Sequence, residues 1–553
     1  MSKMVKEVKD SRKAATTKAV TNFMGGTSYE LNPLDTLKMI SASSIFGEPQ
    51  YYRAGEFAEA NVTDGRFGVD ALFAKYSVLS LDKFNGKKTS DVMEIAIDEA
   101  LAYDFEATIR WAATLRHDYF MRLNPQVIMV RAAMHPARVA FNEKNPGVFA
   151  EINQKVMSRA DEPASQFAYY LFRNGKKNNL PNILKRSWAK KLEGLSKYQM
   201  HKYKNKGLGI IDVARVSHAH SETLDELMRT GTIEVEDDEN TWEALRKAGK
   251  SWREILETTH VAHMALLRNL RGIFTEIDDI EFCKTVLGWL KVGVANGKQF
   301  PFRYSTAYQV IDNSNVNHKG LIKDALEECI DIAANNMPKL KGRVACLSDN
   351  SGSAWGAFTS EYGSVTVANI GNLSSLITAR NADEGYVFKF GDTLDKVEVS
   401  KRNGLLKQLN DLEARPDVGQ GTETGCWTFW HNAIKNKEHW DTVFIYSDMQ
   451  AGHGGLYGDS SAIREYTKQG YLCKYSHMDV AKMIETYRRE VNPKVNVFCI
   501  QTAGYNNVLV PEYGYRTNIL QGWTGKEAAF AETMIKLWDE KDAQKAAKKQ
   551  PQQ

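Results

Sequence analysis

The sequence lacks any long apolar run. No segment approaches the roughly 18 consecutive apolar residues that a membrane-spanning helix requires. The first twenty residues include five basic residues between Lys3 and Lys13, without the apolar centre of a signal peptide. These absences predict a protein that makes no membrane contact and works in the cytoplasm.

Paired cysteines are also missing. The 553 residues contain 6 cysteines (Cys283, Cys329, Cys346, Cys426, Cys473 and Cys499), and none of them forms a CxxC pair. A disulfide framework or a zinc site would need closely spaced pairs. The spacing therefore favours reduced, mostly buried thiols.

Composition and length set the scale of the fold. Apolar residues make up 43% of the chain and charged residues 25%, which is typical of globular proteins. A chain of 553 residues exceeds what one hydrophobic core organises, so two or more domains are expected.

The net charge of +4 conceals an uneven distribution. Between Leu171 and His220 there are 12 lysine and arginine residues and only two acidic residues, a local net charge of +10. Such a concentration creates a field that attracts polyanions. The alternative, on charge alone, is a solvated helical face.

The first 335 residues show helical periodicity throughout. Prolines occur where helices would begin, at Pro125, Pro146, Pro163 and Pro181, and alternate starts lie 38 and 35 residues apart. This spacing is close to the period of HEAT-like helical hairpins. We therefore predict a module of stacked helix pairs over residues 1–338.

A different pattern begins near residue 340. Short runs rich in β-branched and aromatic residues, Val344–Leu347, Tyr386–Phe390, Val443–Tyr446 and Val495–Ile500, alternate with helix-like stretches at Leu405–Leu412 and Val480–Glu490. This alternation predicts a doubly wound α/β domain with a parallel sheet over residues 339–538. We expect a last helix to end near Asp539 and residues 539–553 to form a flexible tail.

Oxygen-bearing side chains follow two of the predicted strands. Asp349, Ser351 and Ser353 form a D-x-S-x-S motif after the first strand, and Asp448 ends another strand. A Gly-rich loop places Thr422 between them. Because open α/β sheets bind ligands at the carboxyl ends of their strands, these groups are candidate ligands for a hard cation. A Ser-rich turn without a metal is the alternative.

The basic block contains aromatic side chains interleaved with lysines. His201-Lys-Tyr-Lys-Asn-Lys-Gly207 is followed by Asp212-Val-Ala-Arg-Val-Ser-His218. Lysines bind phosphates, and flat rings stack on unpaired bases. A single Tyr or His is more often a packing residue, but this interleaving favours single-stranded RNA.

These motifs together resemble the TROVE module of the Ro autoantigen family followed by a von Willebrand factor A (vWA) domain. The segments Lys202–Gly207 and Asp212–His218 are similar to that family's K-Y-K-x-[RK]-x-G and D-L-L-R-L-S-H motifs. The Thr21–Gly26 and Gly47–Tyr52 segments resemble its amino-terminal motifs. Asp349, Thr422 and Asp448 lie in a pattern similar to a metal-ion-dependent adhesion site.

The resemblance implies an α-helical ring of HEAT-like repeats closed by the vWA domain. It also implies binding of small noncoding Y RNAs on the basic outer surface and of single-stranded 3′ ends of misfolded RNAs in the central hole. An exoribonuclease such as polynucleotide phosphorylase is the implied protein partner. The implied RNA contacts are Lys202, Tyr203, Lys204, Lys206, Arg215 and His218.

The implied metal ligands are Asp349, Ser351, Ser353, Thr422 and Asp448, with Mg²⁺ as the first candidate and Mn²⁺ or Ca²⁺ as alternatives. Some positions depart from the family pattern. Val213-Ala214 replaces Leu-Leu, and Met449-Gln450 follows Asp448 where a polar pair is usual. The departures leave the preferred RNA and the outer metal ligands open.

Two other classes of function compete with RNA binding. One is a protein-interaction scaffold whose metal captures a partner carboxylate; the +10 block argues against a scaffold that binds no RNA. The other is a hydrolase with His453 as a base, but the sequence shows no second carboxylate cluster of the kind two-metal nucleases need. We therefore expect no catalytic residue.

Overall fold

The computed structural model describes most of the chain. The described residues are 19–21, 27–30, 32–42, 83, 89–118, 121–175, 179–204, 208–233, 241–297, 301–335, 337–356, 366–419, 424–447, 460–472, 478–501, 507–508, 515–521 and 527–549. They divide into two compact units: the first contains the described residues between 32 and 233, and the second contains those up to residue 30 and from residue 241 onward.

The first unit, within residues 31–239, is helical. Its helices are α1 (Pro33–Ala42), α2 (Thr89–Tyr103), α3 (Phe105–His117), α4 (Asn124–Met134), α5 (Ala137–Lys144), α6 (Val148–Val156), α7 (Glu162–Asn174), α8 (Asn182–Glu193), α9 (Lys197–Tyr203), α10 (Ile210–Ser217) and α11 (Glu222–Thr230).

Prolines mark the helix starts as predicted. Pro125 and Pro163 lie in the first turns of α4 and α7, and Pro181 immediately precedes α8. The start near Pro146 is displaced by two residues, because Gly147 adopts a left-handed φ of 83° before α6 begins. Only glycine takes this conformation without steric cost.

A buried polar network holds neighbouring helices in register. The Gln166 side chain on α7 donates to Gln126 of α4 and to Asn153 of α6, each at 2.8 Å. The Trp188 indole of α8 donates to Gln166 Oε1 at 2.7 Å. All four side chains are fully buried, so each hydrogen bond prevents an unsatisfied polar group. The network joins four helices and fixes the surface that they present.

From residue 241 onward, the second unit forms more helices and then the sheet domain. The helices are α12 (Trp242–Lys247), α13 (Trp252–Thr258), α14 (His263–Glu276), α15 (Ile280–Gly297), α16 (Pro301–Asp312) and α17 (Lys319–Asn335). Among the described residues, no helix combines the length and apolar character needed to cross a bilayer.

The α/β part alternates strands with helices. Its elements are β3 (Leu340–Asp349), α18 (Gly352–Gly356), α19 (Val367–Arg380), β4 (Ala382–Phe390), β5 (Leu394–Glu398), α20 (Leu405–Glu413), a π-helical turn (Thr424–Thr428), α21 (Phe429–Lys435), β6 (Thr442–Ser447), α22 (Ser460–Gln469), α23 (Val480–Glu490), β7 (Asn496–Gln501), β9 (Thr517–Gln521) and α24 (Glu527–Lys549). β1 (Ala19–Thr21) and β2 (Thr27–Glu30) pair in a separate small sheet with β8 (Asn507–Val508).

The order of the main sheet positions the candidate metal ligands. Among the described residues the strands run β5-β4-β3-β6-β7-β9, with β5 antiparallel and the others parallel. The chain therefore leaves β3 towards one side of the sheet and returns at β6 on the other. This reversal is a topological switch point, where doubly wound sheets bind ligands. Asp349 and Ser447 end the two strands that flank it.

The predicted fold class, helical repeats followed by a doubly wound α/β domain, is confirmed. Three details differ from prediction. The amino-terminal part is not wholly helical, since β1 pairs with β2 and β2 pairs with β8. The sheet is mixed, because β5 forms a hairpin with β4. The last helix continues to Lys549 instead of ending near Asp539. The predicted domain boundary at 338/339 stays a prediction.

Candidate functional site

The basic segment of the first unit folds as α9, a turn and α10. Ser196 and Gln199 form a capping box that starts α9, which carries Lys202 and Tyr203 to its end. Gly209 then caps α10, and a Cβ atom there would lie 2.6 Å from the Lys204 carbonyl oxygen. This close approach requires glycine. The turn therefore brings Lys204 next to the start of α10.

Arg215 and His218 are two of the predicted RNA contacts that are exposed. Both side chains are exposed, and neither makes a hydrogen bond or ion pair with any described residue. His218 ends α10 in the left-handed conformation, with a φ of 55°. A non-glycine residue held there carries backbone strain, and such strain clusters at ligand sites.

Lys202 and Lys204 contact rings of their own helix. Lys202 is exposed, and its Nζ lies 5.7 Å from the centroid of the Tyr198 ring. Lys204 Nζ lies 3.4 Å from His201 Nδ1, which also contacts the Ile233 carbonyl oxygen at 2.6 Å. His201 is therefore a packing residue, while Lys202 presents its charge to solvent. Lys206 lies outside the described residues.

Tyr203 is half-buried and fixed by an arginine that sequence analysis did not identify. Arg159 donates from Nη2 to the Tyr203 hydroxyl at 3.0 Å, and its Cζ lies 5.7 Å from the ring centroid. Burial lowers the pKa of Arg159, but the hydrogen bond and charge of Asp161 outweigh this, so the net shift is upward. The pair is separated by 44 residues, which explains why no local pattern revealed it.

The candidate metal centre is built around a buried carboxylate. Asp349, at the end of β3, is 2% exposed. Its Oδ1 accepts a hydrogen bond from the Ser351 backbone N–H at 2.9 Å, and its Oδ2 accepts one from Ser447 Oγ at 2.6 Å. The first contact folds the D-x-S-x-S motif back on itself, and the second links the ends of β3 and β6.

A buried amide network fixes this turn. Asn350 Nδ2 and Ser348 Oγ both donate to Asn372 Oδ1, at 2.8 and 2.7 Å. Asn372 belongs to α19, which packs over β3. The backbone that carries Asp349 and Ser351 is thereby held on both sides, as a preorganised site requires.

The segments on either side of Thr422 are held at the same edge of the sheet. The Val418 carbonyl oxygen accepts a hydrogen bond from the Thr393 N–H at 2.9 Å. In the π-helical turn, Gly425 contacts the Phe390 ring closely enough to exclude a Cβ atom. Cys426 Sγ lies 3.7 Å from Ser447 Oγ. Thr422 and Asp448 themselves lie outside the described residues, as does the side chain of Ser353.

The donor chemistry fits a hard divalent cation. Asp349 supplies a carboxylate and Ser351 a hydroxyl, both buried at the sheet edge. Such oxygen donors suit Mg²⁺, Mn²⁺ or Ca²⁺. Within the described ranges, no group of three His, Cys, Asp or Glu residues converges as a metal site. A cation held at Asp349 would need further oxygen donors, and the buried Ser351 hydroxyl is one candidate.

Ser447 is a candidate positioning residue for Asp349 that the sequence did not reveal. Replacing it by alanine is expected to weaken divalent-ion binding by about 10- to 100-fold, because residues that orient a ligand contribute on that scale. Calorimetric titration with Mn²⁺ measures the change. Ser375→Ala is the matched control, since the Ser375 hydroxyl is buried without a hydrogen-bond partner. Equal affinities for the two variants would contradict the assigned role.

The fold defines a class of protein in which helical repeats precede a vWA-type α/β domain. A solved structure of this class, the crystal structure of the Deinococcus radiodurans Ro (RSR) protein, is similar to this chain with a TM-score of 0.55. The similarity covers 83% of this chain and 96% of that one at 13% sequence identity. The chain therefore has the fold of a Ro protein, as the motifs predict. No family model matches the sequence, and no curated protein matches it.

Proposed function

We propose that this protein binds RNA without cleaving it. Small noncoding Y-like RNAs would lie on its basic surface, and single-stranded 3′ ends of misfolded RNAs would enter a central hole formed by the repeats. This activity would serve RNA stabilisation and quality control. The proposal is carried by one observation: Arg215 and His218 lie in a block of net charge +10, and their exposed side chains have no partner among the described residues.

The arrangement of aromatic and basic side chains favours the binding of single-stranded RNA over duplex RNA. Tyr203 presents a ring that Arg159 holds in place, and Lys202 lies beside it in sequence as an exposed cation. Unpaired bases can stack on such rings while lysine and arginine neutralise the phosphates. The bases of a duplex are already stacked and paired, so a duplex gains only the phosphate contacts.

The proposed partners and location follow from the same reasoning. An exoribonuclease such as polynucleotide phosphorylase is the proposed protein partner, because a noncatalytic RNA-binding protein needs a nuclease to act on bound RNA. A cytoplasmic location is supported by the sequence, in which the 6 cysteines form no CxxC pair.

The test is a competition between two RNAs that share a duplex. One carries a single-stranded 3′ tail, and the other is blunt. We expect the tailed RNA to bind at least about tenfold more tightly, since stacking contributes roughly 1–3 kcal/mol per base. Competition is measured by fluorescence anisotropy against a labelled tailed RNA. Equal affinities would contradict single-strand recognition and leave only phosphate attraction.

A second function of the α/β domain is the capture of an acidic partner group by the proposed metal ion. Buried Asp349 and Ser351 at the topological switch point support this proposal. A bound cation there would accept an anionic ligand from outside as a further coordinating group. This function is compatible with RNA binding, because the two candidate sites belong to different compact units.

A further inference from the structure

An exposed tryptophan lies beside the candidate metal centre. Trp355 is 38% exposed, and its indole makes no hydrogen bond or ring contact with any other described residue. Tryptophan side chains normally bury most of their surface, and those that are exposed at binding surfaces often act as anchors.

The position of Trp355 relative to Ser351 is fixed by one helical turn. The Trp355 backbone N–H donates to the Ser351 carbonyl oxygen at 3.1 Å. Ser351 immediately precedes α18, so this hydrogen bond places the Trp355 backbone one helical turn after the proposed metal ligand. Ser351 is fully buried whereas Trp355 is exposed. The indole therefore lies nearer to solvent than the proposed metal ligand.

The sequence that follows the strands ending at this edge argues against a polyanionic ligand. The segments that directly follow β3, β4 and β6, residues 350–366, 391–393 and 448–459, contain no lysine or arginine. They contain Glu361, Asp392, Asp448 and Asp459. Together with Asp349, these four acidic residues carry more negative charge than one divalent cation can neutralise. A single carboxylate can still bind the metal, whereas a run of phosphates would be repelled.

We propose that Trp355 forms an aromatic subsite next to the metal position. The α/β domain then binds a protein segment in which a carboxylate lies beside an aromatic or large apolar side chain. The carboxylate binds the metal ion, and the neighbouring side chain packs on the indole. This proposal rests on the proposed metal centre and adds the residue that selects among acidic ligands.

The experiment compares three labelled pentapeptides on the full-length protein in Mg²⁺. The first has aspartate between two phenylalanines, the second has aspartate between two alanines, and the third has asparagine between two phenylalanines. We expect the first to bind about tenfold more tightly than the second, on the scale of one aromatic contact. The third peptide, and the first in the presence of EDTA, should not bind measurably.

The variant Trp355→Ala should remove the preference for phenylalanine over alanine while leaving Mn²⁺ affinity within about twofold of wild type. Trp355→Phe should retain part of the preference. Trp289→Ala is the matched control, because Trp289 is also exposed, at 46%, on α15. Thermal unfolding checks that each variant is folded.

Three outcomes would overturn the proposal. A preference that persists in Trp355→Ala would exclude the aromatic subsite. Displacement of the first peptide by a single-stranded oligonucleotide in Mg²⁺ would show that RNA occupies this edge. Wild-type protein that binds Mn²⁺ but prefers neither peptide would refute the subsite while preserving the metal centre. Failure of the wild type to bind Mn²⁺ would refute the metal centre itself.

Discussion

Replacing Lys202, Arg215 and His218 together by alanine is expected to weaken binding of single-stranded RNA by about 10²-fold. Hydrogen bonds to charged groups contribute roughly 1.5–3 kcal/mol each, and Lys202 and Arg215 would supply two such contacts to RNA. All three side chains are exposed, so their removal leaves no cavity in the core. The effect should therefore appear in affinity and not in the free energy of unfolding.

Salt dependence provides the sharper measurement. Each lost phosphate contact lowers the slope of log K against log salt by about 0.7 for a single strand. The variant should therefore show a slope shallower by about 1.4 when two contacts are lost. Arg229→Ala combined with Arg271→Ala removes two other exposed cations that pair with no described residue. An identical slope in the variant and this control would mean that RNA is attracted by net charge alone.

The sequence predicts much of the fold because its apolar runs and helix caps match the residues that the structure buries and the helix ends that it shows. Strands β3 and β6 are buried on both faces, so they appear as continuous apolar runs that composition reveals. Helix α23 begins and ends at the predicted Val480 and Glu490, since Asp479 caps its amino terminus with a side-chain hydrogen bond. A helix cap involves only a few neighbouring residues, so the sequence alone can predict it.

The missed features depend on contacts between distant residues. β2 is short and pairs with β8 more than 470 positions later, so no local periodicity predicts it. Arg159 fixes Tyr203 across 44 positions, and Ser447 donates to Asp349 across 98. Ser447, which immediately precedes Asp448, belongs to no recognisable sequence motif. Only the pairing of β3 with β6, which places Ser348 opposite Tyr446, brings the two strand ends together.

Buried Lys389 is another residue whose role depends on contacts with residues distant in the sequence. Its side chain donates to the carbonyl oxygens of Leu412 and Arg415 at 3.3 and 3.2 Å, and so binds the end of α20 to β4. Burial lowers its pKa, an effect that the nearby Asp395 and Asp417 partly offset. A lysine in an apolar strand appears anomalous in sequence. In the fold it donates to one carbonyl oxygen in the last turn of α20 and to another just beyond the helix.

The second large effect is expected from Asp349→Ala, which should reduce divalent-ion affinity by at least about 10²-fold. Asp349 supplies the carboxylate at the carboxyl end of β3, and affinity for hard cations depends steeply on the number of charged ligands. RNA affinity should stay within about twofold of wild type, because the RNA contacts belong to the other compact unit. Calorimetry with Mn²⁺ and anisotropy with tailed RNA measure the two affinities.

Asp349→Asn separates loss of charge from loss of structure. The amide oxygen of asparagine can still accept one of the two hydrogen bonds that Ser351 and Ser447 donate, so the turn should fold. We expect this variant to lose metal binding while its thermal unfolding stays closer to wild type than that of Asp349→Ala. Incubation of wild-type protein with labelled RNA and Mn²⁺ then tests catalysis directly. RNA cleavage that disappears in both variants would overturn the noncatalytic assignment, because a site whose described part has a single carboxylate would then suffice for hydrolysis.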